Sequence, residues 1–384
     1  MGIGEAYGLF KRWIMKISKI NLVNFRNYSK CSVSLNDNMN IFVGDNAQGK
    51  TNMLEAITIL ALTKSHRVGN SPNIIMFDKS KSTISGTVKD NRVISKLKVE
   101  IMDESKKLSI NNTIIKKVAD YISHLNVIVF TPDDLEIVKG SPNIRRNLLN
   151  IQLSQLSKEY LNVYNEYNKL LKTRNEYLKI LFNNSIADTN YIDIITDKLI
   201  EKAIVIYQKR KEYIDLININ INKFFEDISG DKNISVKYVP NIEFDDFEYE
   251  TIRKKLKHTF KKNYLKELNY GMTIYGPHRD DFLFQYNDND LKYYGSQGQQ
   301  KVAILSFKLS EISIFKDICN SSPVLLLDDI FSELDIKKRN KLLKIISMYD
   351  IQSVITTTDL RNINKKYVEN AFVFMVKNGN IERK

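Results

Sequence analysis

Apolar and polar positions divide the chain into stretches of period two and stretches of period three to four. Ile17, Ile20, Leu22 and Phe25 are spaced for a strand at a sheet edge. Val33 and Leu35 lead into the short buried strand 39–43, so residues 16–43 read as two strands. Residues 51–63 read as a helix. Residues 74–116 alternate, as in Thr83-Ile-Ser-Gly-Thr-Val88 and Ser95-Lys-Leu-Lys-Val-Glu-Ile101, which predicts a hairpin-rich antiparallel region. Residues 125–130 form another buried strand. From Leu149 the period changes, with apolar or aromatic residues at 149, 153, 156, 160, 163, 167, 170, 177 and 181 and one interruption at Arg174. That spacing is the seam of a helix packed on another helix. After a polar turn over 183–190, a second helix carries Leu199, Ala203, Ile206, Tyr213, Ile217, Ile221 and Phe224. Arms of about thirty residues make a helical hairpin, far too short for a long coiled-coil rod. Residues 230–238 return to sheet, 247–263 read as a basic helix, and from Met272 the chain is α/β to its end.

Composition narrows the class. A chain of 384 residues suggests two or three domains. Hydrophobic residues at 43% and charged residues at 27% exclude a globally disordered chain. Two cysteines, Cys31 and Cys319, exclude a disulfide framework, and four scattered histidines show no metal spacing. The longest apolar runs, 57–62 and 324–327, fall far short of the ~20 residues of a membrane span, which predicts a cytoplasmic protein with no membrane partner. The net charge of +13 favours an acidic partner, of which nucleic acid is the commonest. Residues 1–14 read as a disordered extension ahead of Met15, the better candidate for the true start.

Three motifs carry chemistry. Gly44-Asp45-Asn46-Ala47-Gln48-Gly49-Lys50-Thr51 fits G-x-x-x-x-G-K-[ST] in full, after a strand and before a helix. Its backbone N–H groups and the helix N-terminus would hold a β-phosphate. Lys50 would neutralise β/γ oxygens, and Thr51 would place its hydroxyl on Mg²⁺. Residues 323–329 form a buried strand ending in two acids. Asp328 is placed to bind Mg²⁺ through water, and Asp329 to orient the attacking water as a base. Asp335 follows in a loop expected beside the nucleotide and facing a partner subunit. The third motif, Gly295-Ser296-Gln-Gly298-Gln299-Gln-Lys301, opens an evident helix and makes a second anion site, or a plain serine cap.

These motifs resemble the ABC-type ATPase superfamily in the branch that holds the SMC heads, and within it the RecF family. The resemblance runs from Met15 to Lys384. It includes Asn24-Phe-Arg-Asn-Tyr28, Phe130-Thr-Pro-Asp-Asp-Leu-Glu-Ile-Val-Lys-Gly140, Arg145-Arg146, Gly276-Pro-His-Arg-Asp-Asp281, Leu327-Asp-Asp329 and Ile355-Thr-Thr-Thr-Asp359. It implies an α/β fold: an ABC-type P-loop ATPase head with an antiparallel β subregion and a compact inserted helical lobe. On this reading 15–140 and 266–384 form the head and 141–265 the lobe. It also implies ATP and Mg²⁺ as cofactors, ATP-dependent homodimerisation on single- and double-stranded DNA near gaps, and slow DNA-stimulated hydrolysis. The implied role is recombinational repair and replication-fork maintenance, with help in loading RecA alongside RecO and RecR. The family pattern puts Arg26 near the nucleotide, Ser296, Gly298 and Gln299 on the γ-phosphate bound by the other protomer, and Asp335 at the dimer seam. Thr358 and Asp359 stand where many ABC proteins have a switch histidine.

Two departures stand out. Asn150 replaces the Asp usual after the Arg-Arg stretch, and Asp329 stands where transporter ATPases have Glu. Rival readings are a transporter ATPase subunit and a DNA clamp that never hydrolyses its nucleotide. Ser-Gln-Gly-Gln-Gln in place of Leu-Ser-Gly-Gly-Gln, the missing histidine and the net charge count against the first. His278-Arg279-Asp280 is either catalytic or a structural turn, and Arg145 and Arg146 either touch phosphate or cap the lobe. The basic run 253–262 reads as a solvated helix face. The Tyr164, Tyr167 and Tyr177 stripe reads as hairpin core.

Overall fold

A computed structural model describes residues 13–65, 74–90, 93–183 and 189–384. Most of the expected leading extension (1–12) and of the polar turn (184–188) lies outside them. Trp13–Ile14 is a short strand pairing in parallel with Ser321–Ser322. The chain divides into two compact units, one running to Pro132 and resuming over Lys308–Lys384, the other spanning Asp133–Phe307. The second unit is wider than the lobe expected over 141–265 because strand Ile234–Val239 pairs with Asp281–Tyr286 and carries the later segment with it.

Along the first unit run β1 (Lys16–Phe25), β2 (Tyr28–Ser34), β3 (Met39–Val43), α1 (Lys50–Leu62), β4 (Lys81–Asp90), β5 (Val93–Met102), β6 (Lys106–Ile110), β7 (Thr113–Ile115) and β8 (Val127–Phe130). Residues 16–43 thus hold three strands, not two. The chain reverses at Asn24–Asn27 with Asn24 and Arg26 in the left-handed region (φ 53 and 52), and no glycine marks the turn. In the second unit α2 (Pro142–Leu156) and α3 (Lys158–Asn183) replace the single expected helix. Ser157 breaks it: its backbone is extended, and its Oγ accepts from Tyr160 N at 3.1 Å. Then follow α4 (Thr189–Ser229), β9 (Ile234–Val239), α5 (Tyr249–Tyr270) and β10 (Asp281–Tyr286). Helix α6 (Gln297–Cys319) carries the chain back, and β11 (Val324–Asp328), α7 (Ile336–Met348), β12 (Ser353–Thr357), β13 (Phe372–Lys377) and β14 (Asn380–Arg383) complete the first unit.

Two six-stranded sheets build the first unit. One has the order β14-β13-β3-β12-β11-β8 and is parallel except at β14. The other is antiparallel, β2-β1-β4-β5-β6-β7, so β1 lies second in the sheet and not at its edge. The apolar inner faces of both close on α1, which buries ten residues. This all-round burial is why α1 shows no polar stripe in sequence. Phe42 stacks on Phe374 at 4.8 Å within the same core.

The second unit is a helical hairpin, α3 against α4, joined by α5 and the small sheet of β9, β10 and Asn289–Asp290. Arg174, the interruption in the apolar stripe, is buried. It donates to Glu267 at 2.7 Å and Thr273 Oγ1 at 2.7 Å, so the seam holds an ion pair where an apolar side chain was expected. Tyr167 is buried in the hairpin, as its spacing predicts. Among the described residues no helix is long and apolar enough to cross a membrane.

Candidate nucleotide site

The phosphate loop joins β3 to α1. Gly49 has φ +115, and a Cβ there would stand 2.6 Å from Asn27 Nδ2. A Cβ on Gly44 would stand 2.3 Å from the Val376 carbonyl oxygen, so only glycine lets the loop pass under β13. The loop is also clasped from outside. Asn27 Nδ2 donates to Gln48 O at 3.0 Å, Tyr28 OH to Gly49 O at 2.9 Å, and Asn378 N to Gln48 Oε1 at 2.7 Å.

The Lys50 Nζ donates to the carbonyls of Gly44 and Asp45, both at 2.7 Å. Burial pulls its pKa down, against the opposing pull of Asp329, Asp328 and Asp45. Thr51 Oγ1 donates to Asp328 Oδ1 at 2.9 Å, and Thr356 Oγ1 donates to the same oxygen at 2.7 Å. Thr356 Oγ1 in turn accepts from Asp329 N at 2.9 Å. Asp329 sits in the left-handed region with φ 45, just past the end of β11. Burial pushes its pKa up, with Ser332 and Lys50 pulling the other way. Its Oδ1 is buried and accepts no hydrogen bond among the described residues.

Lys50, Thr51, Asp328 and Asp329 therefore meet at the carboxyl ends of β3 and β11. Among the described residues no cluster of three or more His, Cys, Asp or Glu side chains could hold a metal. A hard divalent cation here would draw on hydroxyl, carboxylate, phosphate and water oxygens. The 2.9 Å between Thr51 Oγ1 and Asp328 Oδ1 fits. Adjacent oxygens of a Mg²⁺ octahedron with bonds of about 2.1 Å lie about 3 Å apart.

Arg26 does not point a free guanidinium at the loop. It grips Glu55 of α1 through Nε (3.0 Å) and Nη2 (2.7 Å). Ser296, Gly298 and Gln299 belong to the second unit. Gln299 N donates to Ser296 Oγ at 3.2 Å and Ser296 N to Gln299 Oε1 at 2.9 Å, a reciprocal capping box. Buried Gln300 pins the turn before it through Leu291 O (3.0 Å) and Gly295 O (3.2 Å). Asp335 caps α7, accepting from Lys338 N at 2.9 Å and pairing with Lys338 Nζ at 2.8 Å. Thr358 is exposed, and Asp359 accepts from Arg361 N and Nε.

Of the remaining candidates, Arg145, Arg146, His278 and Asp280 are engaged within the second unit, and Arg279 is exposed. Arg145 is buried against Asp281 at 2.6 Å, and Arg146 donates to Asp280 O at 2.7 Å. His278 Nδ1 accepts from Tyr167 OH at 2.7 Å, and Nε2 faces Thr273 O at 3.1 Å, so both nitrogens are engaged. Burial pushes its pKa down to about 4, with nearby Arg279, Arg146 and Arg210 adding to the shift against the opposing pull of the Thr273 carbonyl. The unfolded histidine, near the ordinary 6.5, binds the proton first. Its contribution to stability is complete above pH 6.5 and drains as pH falls towards 4. About 2 kcal/mol should be gone at pH 5. His278→Gln keeps an acceptor and a donor but cannot titrate. Urea unfolding at pH 7 and pH 5 should show a smaller drop for this variant than for the parent; equal drops would contradict the assignment.

Sequence reasoning missed Thr356, which links the Asp328 carboxylate to the Asp329 backbone N–H, and gave Asn27 and Tyr28 no role. Both are visible only as a motif, Asn24–Tyr28, lying beside the phosphate loop in space.

A glycine cradle on a parallel strand, a carboxylate on the strand two places away and an antiparallel sheet over the loop helix define an ABC-type P-loop ATPase head. Residues 16–382 match the RecF/RecN/SMC N terminal domain. The DNA replication and repair protein RecF of Halalkalibacterium halodurans is 37% identical over 372 residues, covering 96% of this chain and 100% of that protein. Two solved structures of the recombination mediator protein RecF in the RecFOR pathway are similar. The one with ATP has a TM-score of 0.89 at 30% identity, covering 97% of this chain and 98% of that one. The RecF-ATPrS structure has a TM-score of 0.88 at 31% identity, with coverage of 96% and 98%. The chain belongs to the RecF family.

Proposed function

We propose that the protein is an ATP-dependent DNA-binding protein of recombinational repair and replication-fork maintenance. It acts in the cytoplasm, near gaps, and helps RecO and RecR load RecA. The observation that carries its ATPase chemistry is Asp329 Oδ1, which lies beside Lys50 and the Thr51–Asp328 pair and is a buried acceptor with no donor among the described residues. ATP seats its β-phosphate on the N–H groups of residues 44–49. Lys50 leaves its two carbonyls for the β/γ oxygens. Thr51 and Asp328 would hold Mg²⁺, which would supply neutralising charge to those oxygens. Asp329 takes a proton from water as the water oxygen bonds to the γ-phosphorus, and the bond from that phosphorus to the β–γ bridging oxygen breaks, releasing ADP with its electron pair. Asp329 is a shorter base than the Glu of transporter ATPases, so turnover is slow and hydrolysis serves as a switch.

The γ-phosphate is completed by a second copy. Gly298 supports this reading: among the described residues a Cβ there would have only Ser296 Oγ within 4 Å, at 3.9 Å, so none of them demands a glycine. A bare backbone at a helix N-terminus suits close approach by an external anion. Ser296, Gly298 and Gln299 would cap the phosphate held by the partner's loop, with Asp335 at the seam and Arg26 positioning α1 through Glu55.

Mixing tests the shared site. Ser296→Arg should bind ATP and fail to dimerise, and Lys50→Ala should lack the phosphate grip. Each alone should be inactive, and together they should regain part of the DNA-stimulated hydrolysis, because one mixed site is intact. A Ser296→Arg protein that hydrolyses ATP alone as a monomer, with no gain on mixing, would place the whole site in one chain.

A further inference from the structure

The antiparallel sheet of the first unit has one face closed on α1 and an outer face whose residues are half-buried or exposed apart from Glu100 and Ser109, which are buried. Strand pairing fixes what the outer face presents. One row across it reads Ser34, Lys19, Thr87, Lys96, and the next reads Ser32, Asn21, Ser85, Lys98, Ser109. The third reads Lys30, Val23, Thr83, Glu100, Lys107. Lys89 stands one row further out, beside Ile94. In these rows every charged residue is lysine except Glu100, which is already held by Lys81 (2.5 Å) and Lys98 (3.0 Å). Lys19, Lys30, Lys89, Lys96 and Lys107 are exposed and pair with no carboxylate among the described residues. Hydroxyl and amide side chains fill the spaces between them, and none of the rows contains an aromatic ring.

We propose that this face is a docking surface for the backbone of duplex DNA. The inference rests on the DNA-binding reading above and adds where, and which form, the protein holds. Strands about 4.8 Å apart put Lys30 and Lys107, four strands from each other, roughly 19 Å apart, close to the width of a duplex. Residues 81–89 of β4 extend the face by about 27 Å. Lysine, serine and threonine are donors to phosphate oxygens and read no base sequence. Single strands are gripped by stacking on aromatic rings, each worth about 1–3 kcal/mol per base. This face offers none. It therefore favours the continuous phosphate rows of a duplex, and its rigid sheet requires no rearrangement to meet them.

The test uses the full-length protein with ATP and a blunt duplex or the matching single strand, across a salt series. The variant is Lys19→Gln/Lys30→Gln/Lys96→Gln/Lys107→Gln, whose four sites are exposed and unpaired, with ATP binding as the control for folding. Each lysine that meets a phosphate contributes about 0.9 to the slope of log affinity against log salt. The expected result is a duplex slope shallower by about two or more, and duplex affinity at least tenfold lower at 0.1 M salt. A smaller change in slope, with the parent binding duplex normally, overturns the placement and leaves the DNA-binding reading standing. A parent that binds neither form overturns both. Loss of single-strand binding alone, or loss of binding to polyglutamate with duplex binding unchanged, also overturns the proposal; the latter would mark a face for an acidic protein.

Discussion

Lys50→Ala is expected to lower ATP affinity by at least a hundredfold, and Asp329→Asn to leave affinity within about threefold while cutting hydrolysis by a hundredfold or more. Lys50 is the one cation of the phosphate loop, and its ammonium is held over the loop by two carbonyls at 2.7 Å. Removing it strips the charge-assisted contacts to the β/γ oxygens, a loss of roughly 3 kcal/mol. Asp329→Asn is a clean companion. Asparagine tolerates the left-handed backbone that position 329 adopts, so the turn keeps its shape while the base is lost. Equilibrium binding of a fluorescent ATP analogue and single-turnover hydrolysis separate the two effects. An Asp329→Asn protein that turns over at the parent rate would remove Asp329 from the base role.

The second large effect is on stability. Asp280 accepts from Arg210 Nη1 at 2.9 Å and from Asn241 N at 2.9 Å, and takes a short hydrogen bond from Tyr238 OH. Arg210 and Asp280 are both fully buried. Arg210 reaches Asn150 Oδ1 at 2.9 Å, and the same oxygen accepts from Tyr160 OH at 2.8 Å. The neutral amide at 150 leaves Asp280 as the single carboxylate paired with Arg210 among the described residues. Asp280→Ala strands a buried guanidinium, a phenol and an amide together, and should cost about 3–5 kcal/mol of folding stability. Asp280→Asn keeps an acceptor oxygen and should cost less. Urea midpoints report both; a loss below about 1 kcal/mol for Asp280→Ala would mean that water or a neighbour takes over.

The legible parts of this protein are those whose signal is local. The phosphate loop announces itself because two glycines, a lysine and a threonine must sit within eight residues. Asp328 is legible because a strand of Val and Leu ends on it. Contacts between distant segments leave no such trace. Thr356 is one of three consecutive threonines, and only the register of β12 against β11 brings this one to Asp328. Arg174 looked like a flaw in the hairpin seam because its counter-ion, Glu267, lies 93 residues on. The break at Ser157 hid behind apolar spacing that continues across it, although a serine ahead of a helical turn is itself a start signal. The width of the second unit was hidden for a related reason: β9 and β10 are too short to advertise that they pair.

Helix α1 is packed on both flanks, by the antiparallel sheet and by the mixed one. A rod held that way cannot tilt or roll without opening a void on one flank and forcing atoms together on the other. Both are costly, at about 1 kcal/mol or more for each displaced methylene. On the ATP cycle proposed above, α1 would act as an anvil when the terminal phosphate arrives or departs, and the displacement would fall on lightly held segments around it. The clasp of Gln48 by the Asn378–Gly379 turn is one, made of two hydrogen bonds of 2.7 and 3.2 Å. The turn at Asp329 is another, held by Thr356 and Ser332. The first leads into the hairpin β13–β14 and the second towards α7. A chemical event at one atom would thus have two mechanical outlets among the described residues of the first unit, and the helix that carries the lysine would not be one of them.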